Sequence, residues 1–214
     1  MSIPKIIHYC WFGGGPISPE SQKCMESWKK YCPDYKIMVW NEQNFDVSKN
    51  HYAQQAYAAK KYAFVSDYVR LAVLYEYGGI YLDTDVELVR PLDELLEYKG
   101  FIGMEHSAPS PYGRTLLVNT GSGVGAEPGC EMIGKMLAAY RNASFLLETG
   151  EPDLRTCTQR DTPLFTKAGL QQKNEQQELD GFLVLPTDCF SPFDYVTERM
   201  HRTPRTFGIH YYQG

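Results

Sequence analysis

The stretch Asp67–Asp85, DYVRLAVLYEYGGIYLDTD, changes its hydrophobic period halfway along. Apolar residues recur at helical spacing in its first half, so an amphipathic helix is predicted over Ser66–Tyr77. The pair Gly78-Gly79 ends that helix, because glycine readily adopts the left-handed cap conformation. A short strand over Ile80–Leu82 follows and runs into two carboxylates. Since carboxylates are costly to bury, we expect this strand to deliver them to the rim of a sheet.

The composition is that of a globular protein with one sizeable domain. The chain has 214 residues, of which 43% are hydrophobic and 22% are charged. The formal net charge of −5 provides no general basic surface, so no nucleic-acid partner is expected. Aromatic residues reach 14%, and such side chains line grooves for flat ligands as well as cores.

Cysteine usage and the N-terminus bear on the cellular compartment. The six cysteines are scattered without a Cys-x-x-Cys pair, which argues against a zinc site and favours free thiols in a reducing cytosol. The N-terminus runs straight into a strand-like segment, and no apolar run reaches bilayer length. We therefore expect a cytoplasmic protein with at most peripheral contact at the inner membrane face. The basic segment Arg199–Arg205 is expected to be a solvated helix face rather than a lipid-binding patch.

Strands and helices alternate in the first half of the chain and become mixed later. This order predicts an α/β fold with a mixed, mostly parallel central sheet flanked by helices. Ligands of open α/β sheets bind beyond the carboxyl ends of the strands, where Trp11, Asn119 and the aspartate pair lie. The predicted strands are Lys5–Phe12, Lys36–Trp40, Gly100–Glu105, Leu116–Gly125 and Phe182–Leu185, and the main predicted helices are Pro19–Tyr31, His51–Tyr62, Cys130–Arg141 and one that begins at Pro163.

Asp83 and Asp85 are candidate metal ligands. Side chains two positions apart on a strand share a face, so both are expected to point the same way, roughly 7 Å apart along the backbone. Two carboxylates with open positions suit Mg²⁺ or Mn²⁺ held jointly with substrate phosphates. Such a cation neutralises charge on a diphosphate leaving group. The alternative is a solvated strand end, because so short a motif also arises by chance.

Asp67 and Arg70 lie three residues apart on one face of the predicted helix, so they can contact each other or one ligand. The planar guanidinium suits phosphate, and the carboxylate suits ribose or sugar hydroxyls. The alternative is a surface salt bridge of little consequence. Their helix leads directly into the candidate metal site, which favours a shared ligand.

Two segments, IPKIIHYCWFG (Ile3–Gly13) and SDYVRLAVLYEYGGIYLDTD (Ser66–Asp85), together resemble the Asp-x-Asp glycosyltransferases of family 32. The resemblance covers about Ile3–Leu96, with a weaker block at Asn119–Pro128. The family includes bacterial capsule and lipopolysaccharide sugar transferases, fungal mannosyltransferases and the catalytic domains of clostridial glucosylating toxins. The resemblance implies a single GT-A domain over residues 1–214, a nucleotide-sugar donor, a divalent cation that is usually Mn²⁺, and retention of anomeric configuration.

The resemblance also implies roles for particular residues. Asp83, Asp85 and Arg70 would form the catalytic set, with Asp85 binding the cation directly and Asp83 contacting ribose or sugar. Asp67 would hold the donor sugar together with Arg70.

Three further residues would contact the donor. The resemblance implies that Tyr81 touches the diphosphate or nucleoside and that Asn119 reaches the donor sugar. Trp11 would stack on the base, which its aromatic face allows physically. The alternative for Trp11 is a core or hinge tryptophan.

The C-terminus departs from the family pattern, which continues through a His-x-Trp-x-x-Ser-Trp-like segment that closes over the diphosphate. Here the chain reads His210-Tyr211-Tyr212-Gln213-Gly214, with Tyr212 in the place of the first tryptophan. We therefore expect the lid segment to be missing from this chain. His210 is either a metal or phosphate ligand or a tail histidine without a role.

The leading hypothesis is a retaining, metal-dependent hexosyltransferase that uses a UDP-sugar, or a GDP-sugar, and a glycan or lipid-linked acceptor in surface polysaccharide synthesis. A metal-dependent nucleotidyl or phosphoryl transferase would need a lysine or glycine-rich signature for a triphosphate, and the sequence has none. A nucleotide-sugar binding module without turnover is the third hypothesis, because the lid pattern is incomplete. The donor base, the sugar, the acceptor and the linkage stay open.

Overall fold

The computed structural model of this protein describes residues 2–213. Its strands are β1 (Ile6–Cys10), β2 (Lys36–Trp40), β3 (Gly79–Tyr81), β4 (Val86–Leu88), β5 (Gly100–His106), β6 (Leu116–Ala126), β7 (Gln177–Leu179), β8 (Phe182–Leu185), β9 (Phe193–Asp194), β10 (Arg199–Met200) and β11 (Gly208–His210). Its α-helices are α1 (Pro19–Tyr31), α2 (His51–Ala58), α3 (Tyr62–Tyr77), α4 (Glu131–Ala139), α5 (Cys157–Lys167) and α6 (Thr187–Phe190). Short 3₁₀ turns lie at Val47–Lys49 and Asp93–Leu95.

A seven-stranded mixed sheet forms the centre of the fold, in the order β2-β1-β3-β6-β5-β8-β7. Strands β2, β1, β3, β5 and β8 run in one direction, and β6 and β7 run in the other. Two small antiparallel pairs, β9 with β10 and β4 with β11, lie outside this sheet. The predicted α/β class with a mostly parallel central sheet is therefore confirmed.

Apolar side chains fill the space on both faces of the sheet. Neighbouring strand residues alternate between the two clusters: Ile80 and Phe101 pack on the α1 side, with Trp28, while Tyr81 and Ile102 pack on the other. This alternation is the period-two geometry of a strand that is covered on both faces. The core therefore holds the carboxyl ends of β1 and β3 in fixed positions.

Helix α1 follows the sequence prediction from its first residue to its last. Ser18 is the N-cap, and its hydroxyl accepts a hydrogen bond from the Ser21 N–H at 3.1 Å. Pro19 fits the first turn because that position needs no N–H donor. Trp28, on the buried face, donates from Nε1 to the Val86 carbonyl at 2.7 Å and so joins α1 to β4.

Helix α3 begins at Tyr62, four residues before the predicted start, and ends at Tyr77 as predicted. Gly78 and Gly79 have φ angles of 65° and 102°, which are left-handed conformations that favour glycine. A Cβ atom on Gly79 would also lie 2.8 Å from the Ile6 carbonyl oxygen. This tight reversal lets β3 pair with β1 directly after the helix.

The largest correction concerns α5, which begins at Cys157 rather than at Pro163. Thr156 caps it in a reciprocal capping box with Gln159, and this local pattern sets the helix start. Pro163 therefore lies inside the helix. The consequence is that Asp161 is a buried helical residue.

Three smaller differences follow from local backbone geometry. Helix α2 ends at Ala58, because Lys60 takes a left-handed φ of 56° before α3 begins. The four-residue helix α6 was not predicted. The basic segment Arg199–Arg205 was predicted as a helix face, but it starts with strand β10 and continues without a helix.

The six cysteines are all free thiols, as expected from their scattered positions. Within residues 2–213, no helix has both the length and the apolar character required to cross a bilayer.

Candidate active site

The Asp-x-Asp motif occupies a turn between β3 and β4 rather than a strand end with alternating faces. Strand β3 stops at Tyr81, and the Asp83 N–H donates to the Gly121 carbonyl at 2.9 Å. The Val86 N–H then donates back to the Asp83 carbonyl at 3.0 Å and closes the turn. The expectation that Asp83 and Asp85 share a strand face is therefore wrong in its geometry. The turn nevertheless brings both carboxylates to one place.

His210 joins these two carboxylates. It lies at the end of β11, where antiparallel pairing sets it opposite Val86. One ligand atom from each of Asp83, Asp85 and His210 lies within 4.8 Å of the others. The His210 Nε2 atom is 3.4 Å from Asp85 Oδ1, and its buried Nδ1 has no partner among the described residues. Two carboxylate oxygens and one imidazole nitrogen fit a divalent cation such as Mn²⁺ or Mg²⁺.

The cluster has the electrostatics of a cation site. Burial alone would raise the pKa of the Asp85 carboxyl, but His210 and the Gln213 N–H together hold this pKa below its ordinary value. Burial likewise disfavours charge on His210, yet the neighbouring carboxylates raise the pKa of its imidazole above the ordinary value. The negative potential that attracts a proton to His210 also attracts a metal ion.

Arg70 is the buried cation behind this turn, and its side chain is only 4% exposed. Its Nη2 atom lies 3.3 Å from Asp67 Oδ1 and 3.3 Å from Asp83 Oδ1. Its Nη1 donates to the Thr120 hydroxyl at 3.0 Å. The predicted contact of Asp67 with Arg70 is thus present, and it is a buried pair rather than a surface salt bridge. The guanidinium lines the cavity and holds Asp83 in position.

Tyr81 lies beneath the site instead of on its wall. Its side chain is buried, its ring lies 4.7 Å below the Arg70 guanidinium, and its hydroxyl donates to Asp83 Oδ1 at 2.9 Å. Tyr81 does not line the large cavity, and its implied contact with the diphosphate or nucleoside stays a prediction. In this structure Tyr81 instead contacts Asp83 and Arg70, which do line the cavity.

A cavity of about 700 Å³ extends from the Asp-x-Asp turn to Trp11 and its glycine loop. Arg70, Asp85 and His210 line it, and so does the half-buried Trp11. The Trp11 Nε1 atom donates to the Gly15 carbonyl at 2.6 Å, which fixes the indole ring. This arrangement places Trp11 in the cavity wall, where a planar ligand can contact it, and not in the core.

A smaller cavity of about 250 Å³ shares Arg70, Asp83 and His210 with the first and adds Asn119 and Glu105. The Asn119 amide donates to Glu105 Oε2 at 2.6 Å, and its carbonyl oxygen accepts the Gly121 N–H at 2.7 Å. Asn119 therefore lines a pocket beside the turn while it fixes Glu105 and the backbone of β6.

Glu105 was not singled out from the sequence, although it ends a predicted strand. Burial raises the pKa of its carboxyl above the ordinary value, while the bond from Asn119 opposes the shift. The rule that ligands lie beyond strand ends, which drew attention to Asn119, applies equally to Glu105. The position of Glu105 at the end of a predicted strand could therefore have identified it as a candidate site residue.

Tyr212 packs against two residues of the site, His210 and Glu105. Its ring centroid lies 4.1 Å from that of His210, and its hydroxyl donates to Glu105 Oε2 at 3.0 Å. Its φ of 54° is left-handed, which is uncommon for a bulky residue. Strained backbone of this kind is tolerated where surrounding contacts fix it, often at functional sites.

A second acidic group lies behind Arg70, away from the large cavity. Burial raises the pKa of Asp67 to about 6 and that of Asp161 to about 8. Asp161 is 1% exposed, and neither of its carboxylate oxygens has a hydrogen-bond partner among residues 2–213. No local pattern pointed to Asp161, because the helix that buries it was predicted to begin two residues later.

The sequence comparisons agree with the geometry. Residues 18–102 match the family described as "Glycosyltransferase sugar-binding region containing DXD motif". Inositol phosphoceramide mannosyltransferase 3 of Schizosaccharomyces pombe is 34% identical over 112 residues, which are 47% of this chain and 29% of that protein. The uncharacterized glycosyltransferase L373 of Acanthamoeba polyphaga mimivirus is 33% identical over 100 residues, covering 44% of this chain and 40% of that protein. The matched segment thus spans less than half the length of either relative.

The solved structure of the PaToxG glycosyltransferase superposes with a TM-score of 0.57 at 24% identity, covering 78% of this chain and 70% of that chain. This likeness confirms the predicted GT-A fold. The resemblance seen in the first half of the sequence is confirmed as well. Residues 18–102 are therefore similar to the glycosyltransferase sugar-binding region with its Asp-x-Asp motif, and the chain has a GT-A fold.

Proposed function

We propose that this protein is a retaining, metal-dependent glycosyltransferase that moves a sugar from a nucleotide-sugar donor to a glycan or lipid-linked acceptor. One observation carries the proposal above all. The Asp83, Asp85 and His210 ligand atoms lie within 4.8 Å of one another, and all three residues line a cavity of about 700 Å³. Trp11 lines the same cavity. A nucleoside diphosphate has a flat base, which an aromatic ring can contact, and a phosphate chain, which binds a cation. The lining of this cavity offers a contact for each part.

The residues have separate functions in this proposal. Asp85, Asp83 and His210 hold the cation, preferably Mn²⁺, and Trp11 stacks on the base. A divalent cation bound there stabilises negative charge on the departing diphosphate. Arg70 adds a fixed positive charge that needs no reorganisation during the reaction, because Asp67 and Asp83 already orient it.

Transfer proceeds on the face of the sugar from which the diphosphate departs. The bond from the anomeric carbon to the diphosphate oxygen breaks, and the acceptor oxygen forms a bond to the same carbon. The acceptor hydroxyl proton passes to the departing phosphate oxygen, so that atoms and charge balance. Asn119 and Glu105 line the small cavity beside the turn and orient the transferred sugar.

We favour a UDP-sugar donor, with a GDP-sugar as the second choice, and surface polysaccharide synthesis from the cytoplasmic side as the setting. The Schizosaccharomyces pombe relative is named as a mannosyltransferase that acts on inositol phosphoceramide, which supports a lipid-linked acceptor. A nucleotidyl or phosphoryl transferase has less support. Arg70 is the cationic side chain on the wall of the large cavity, and no lysine of the described chain lies there.

A thermal-shift panel tests the proposal. UDP, GDP and their sugar derivatives are added with and without Mn²⁺, because a ligand that binds only the folded state raises the melting temperature. We expect one nucleotide class to stabilise the protein only when Mn²⁺ is present. If none does so, the proposal is wrong.

Turnover distinguishes an enzyme from a binding module. We expect slow hydrolysis of the stabilising nucleotide sugar with Mn²⁺, measured as release of nucleoside diphosphate. Stabilisation without hydrolysis or transfer would favour a nucleotide-sugar binding module.

A further inference from the structure

A further cavity of about 460 Å³ lies on the other side of Tyr212 from the donor cavity. Strand β9, helix α6, the end of β5 and the segment before β11 contribute its walls. Its lining includes His106, Arg114, Asp188, Asp194, Tyr195 and Arg205. These residues belong to neither of the two cavities described above.

Tyr212 is the wall that this cavity shares with the candidate active site. It lines the donor cavity, the small cavity with Asn119, and this further cavity. A second substrate must approach the anomeric carbon of a donor held at Asp83 and Asp85. A cavity separated from that point by one side chain is therefore placed to hold this second substrate.

The charges in the cavity cancel in pairs. Arg114 Nη1 lies 2.5 Å from Asp194 Oδ2, and Arg205 Nε lies 2.6 Å from Asp188 Oδ2. Burial and the nearby Arg114 hold the pKa of His106 below its ordinary value, which keeps that imidazole neutral. With its cations already paired to carboxylates, the cavity favours a neutral ligand over a phosphate or a cation.

Aromatic rings and an unused acceptor atom complete the lining. The Tyr195 and Tyr212 ring centroids are 4.8 Å apart, and Tyr195 remains 42% exposed at the mouth. Asp188 is buried, and its Oδ1 has no hydrogen-bond donor among residues 2–213. A carboxylate oxygen of this kind can accept a hydroxyl hydrogen, and an aromatic ring can pack against the apolar face of a sugar ring.

We propose that this cavity is the acceptor subsite and that it binds a neutral saccharide, with Tyr195 as packing surface and Asp188 as hydroxyl acceptor. The inference rests on the proposed glycosyltransferase function, since it names the second substrate of that reaction. Tyr212 then lies between the acceptor sugar and the donor sugar. The shape and polarity of this cavity, rather than the Asp-x-Asp turn, select the acceptor.

Ligand-observed NMR tests the proposal with the intact protein. The probes are the methyl glycosides of mannose, glucose and galactose, with mannose 6-phosphate as the charged comparison. Saturation transfer to each probe is measured with Mg²⁺ and with saturating UDP or GDP, so that the donor cavity is occupied. We expect at least one neutral glycoside to bind under these conditions and to bind more tightly than mannose 6-phosphate.

Tyr195→Ala removes the packing surface, and we expect it to weaken glycoside binding by about fivefold, the usual size of one aromatic contact. Tyr75→Ala is the matched control, because Tyr75 is also 42% exposed but lies on α3, away from this cavity. Asp188→Asn keeps the shape while it weakens the acceptor, and it should also reduce binding. Each variant is first checked for an unchanged melting temperature and an unchanged nucleotide shift.

Several outcomes would overturn the proposal. These are binding of no neutral glycoside, displacement of the glycoside by UDP or GDP, preference for mannose 6-phosphate, or equal effects of Tyr195→Ala and Tyr75→Ala. Failure of the donor proposal is a different result. In that case UDP and GDP would not stabilise the protein, while glycoside binding would still depend on Tyr195.

Discussion

Arg70 lies between two groups of aspartates, one that lines the large cavity and one that is buried in the protein interior. On the cavity side are Asp83 and Asp85, with His210 within reach of both. On the buried side are Asp67, which pairs with Arg70, and Asp161, whose oxygens have no partner among the described residues. The pKa of Asp85 is held below its ordinary value, whereas burial raises that of Asp161 to about 8.

The difference shows that hydrogen bonding and solvent access, not residue identity, decide what an aspartate does here. On the cavity side the lowered pKa keeps Asp85 ionised, and Asp85 can bind a cation together with Asp83. On the buried side, Asp161 holds its proton, whereas Asp67 pairs with Arg70 and keeps it in place. Four substitutions test this division, and the first has the largest expected effect.

Asp85→Asn should remove Mn²⁺-dependent turnover, with a loss of about 10³-fold or more in donor hydrolysis, because the cation loses a charged ligand. The melting temperature should change little, since Asp85 faces the cavity. Release of nucleoside diphosphate measures the effect, and Asp180→Asn on the exposed β7–β8 turn is the control. Full activity in the Asp85 variant would refute the metal assignment.

Arg70→Ala should lower the free energy of unfolding by about 3 to 5 kcal/mol, because Asp67 is then buried without its partner. Chemical denaturation measures this change. The double variant with Asp67→Asn should recover part of the loss, since the unpaired charge is gone. If the double variant is no more stable than the single one, the two sides of Arg70 are not coupled as described.

Gly121→Ala tests the position of Asp83 without removing it. The added Cβ would lie 2.0 Å from Asp83 Oδ2, so the carboxylate must move. We expect donor hydrolysis to fall by about 10- to 100-fold, the usual effect of misplacing a catalytic group by an ångström. Gly134→Ala on α4 is the control, because its Cβ meets only the half-exposed Tyr75 ring, at 3.0 Å. Equal activities of the two variants would contradict the prediction.

Asp161→Asn should have the smallest effect and the opposite sign. The folded protein holds the Asp161 proton up to about pH 8, whereas an unfolded aspartate releases it near pH 4. Unfolding therefore releases a proton between these values, so stability falls as the pH rises. The asparagine variant lacks this slope and should gain about 1 to 2 kcal/mol at pH 8, with little change at pH 4. Parallel stability curves for the two proteins would show that Asp161 is ionised in the fold.

Local signals allowed the sequence to predict much of this fold. The helix from Pro19 to about Tyr31 was predicted correctly because a serine cap and a first-turn proline agree on its start. The contact of Asp67 with Arg70 needed only helical spacing. The start of α5 was missed because a capping box at Thr156 outweighed the proline at position 163.

The rest of the site depends on contacts distant in sequence. The sequence alone left two interpretations of His210, a metal or phosphate ligand and a tail residue without a role. The pairing of β11 with β4 places it beside the two carboxylates. Tyr81 was assigned to the ligand, but its strand turns it into the core. Asp161 and Glu105 acquire their raised pKa values from burial, which no local pattern reveals.

The bond from the Gln213 N–H to Asp85 joins residues that are 128 positions apart. A ribosome releases the chain from its N-terminus, so Asp83 and Asp85 emerge long before His210 is made. The nascent chain therefore exposes two carboxylates without their histidine while most of the sheet is still being synthesised. Its affinity for divalent ions should rise in a late step, when the final strand joins β4.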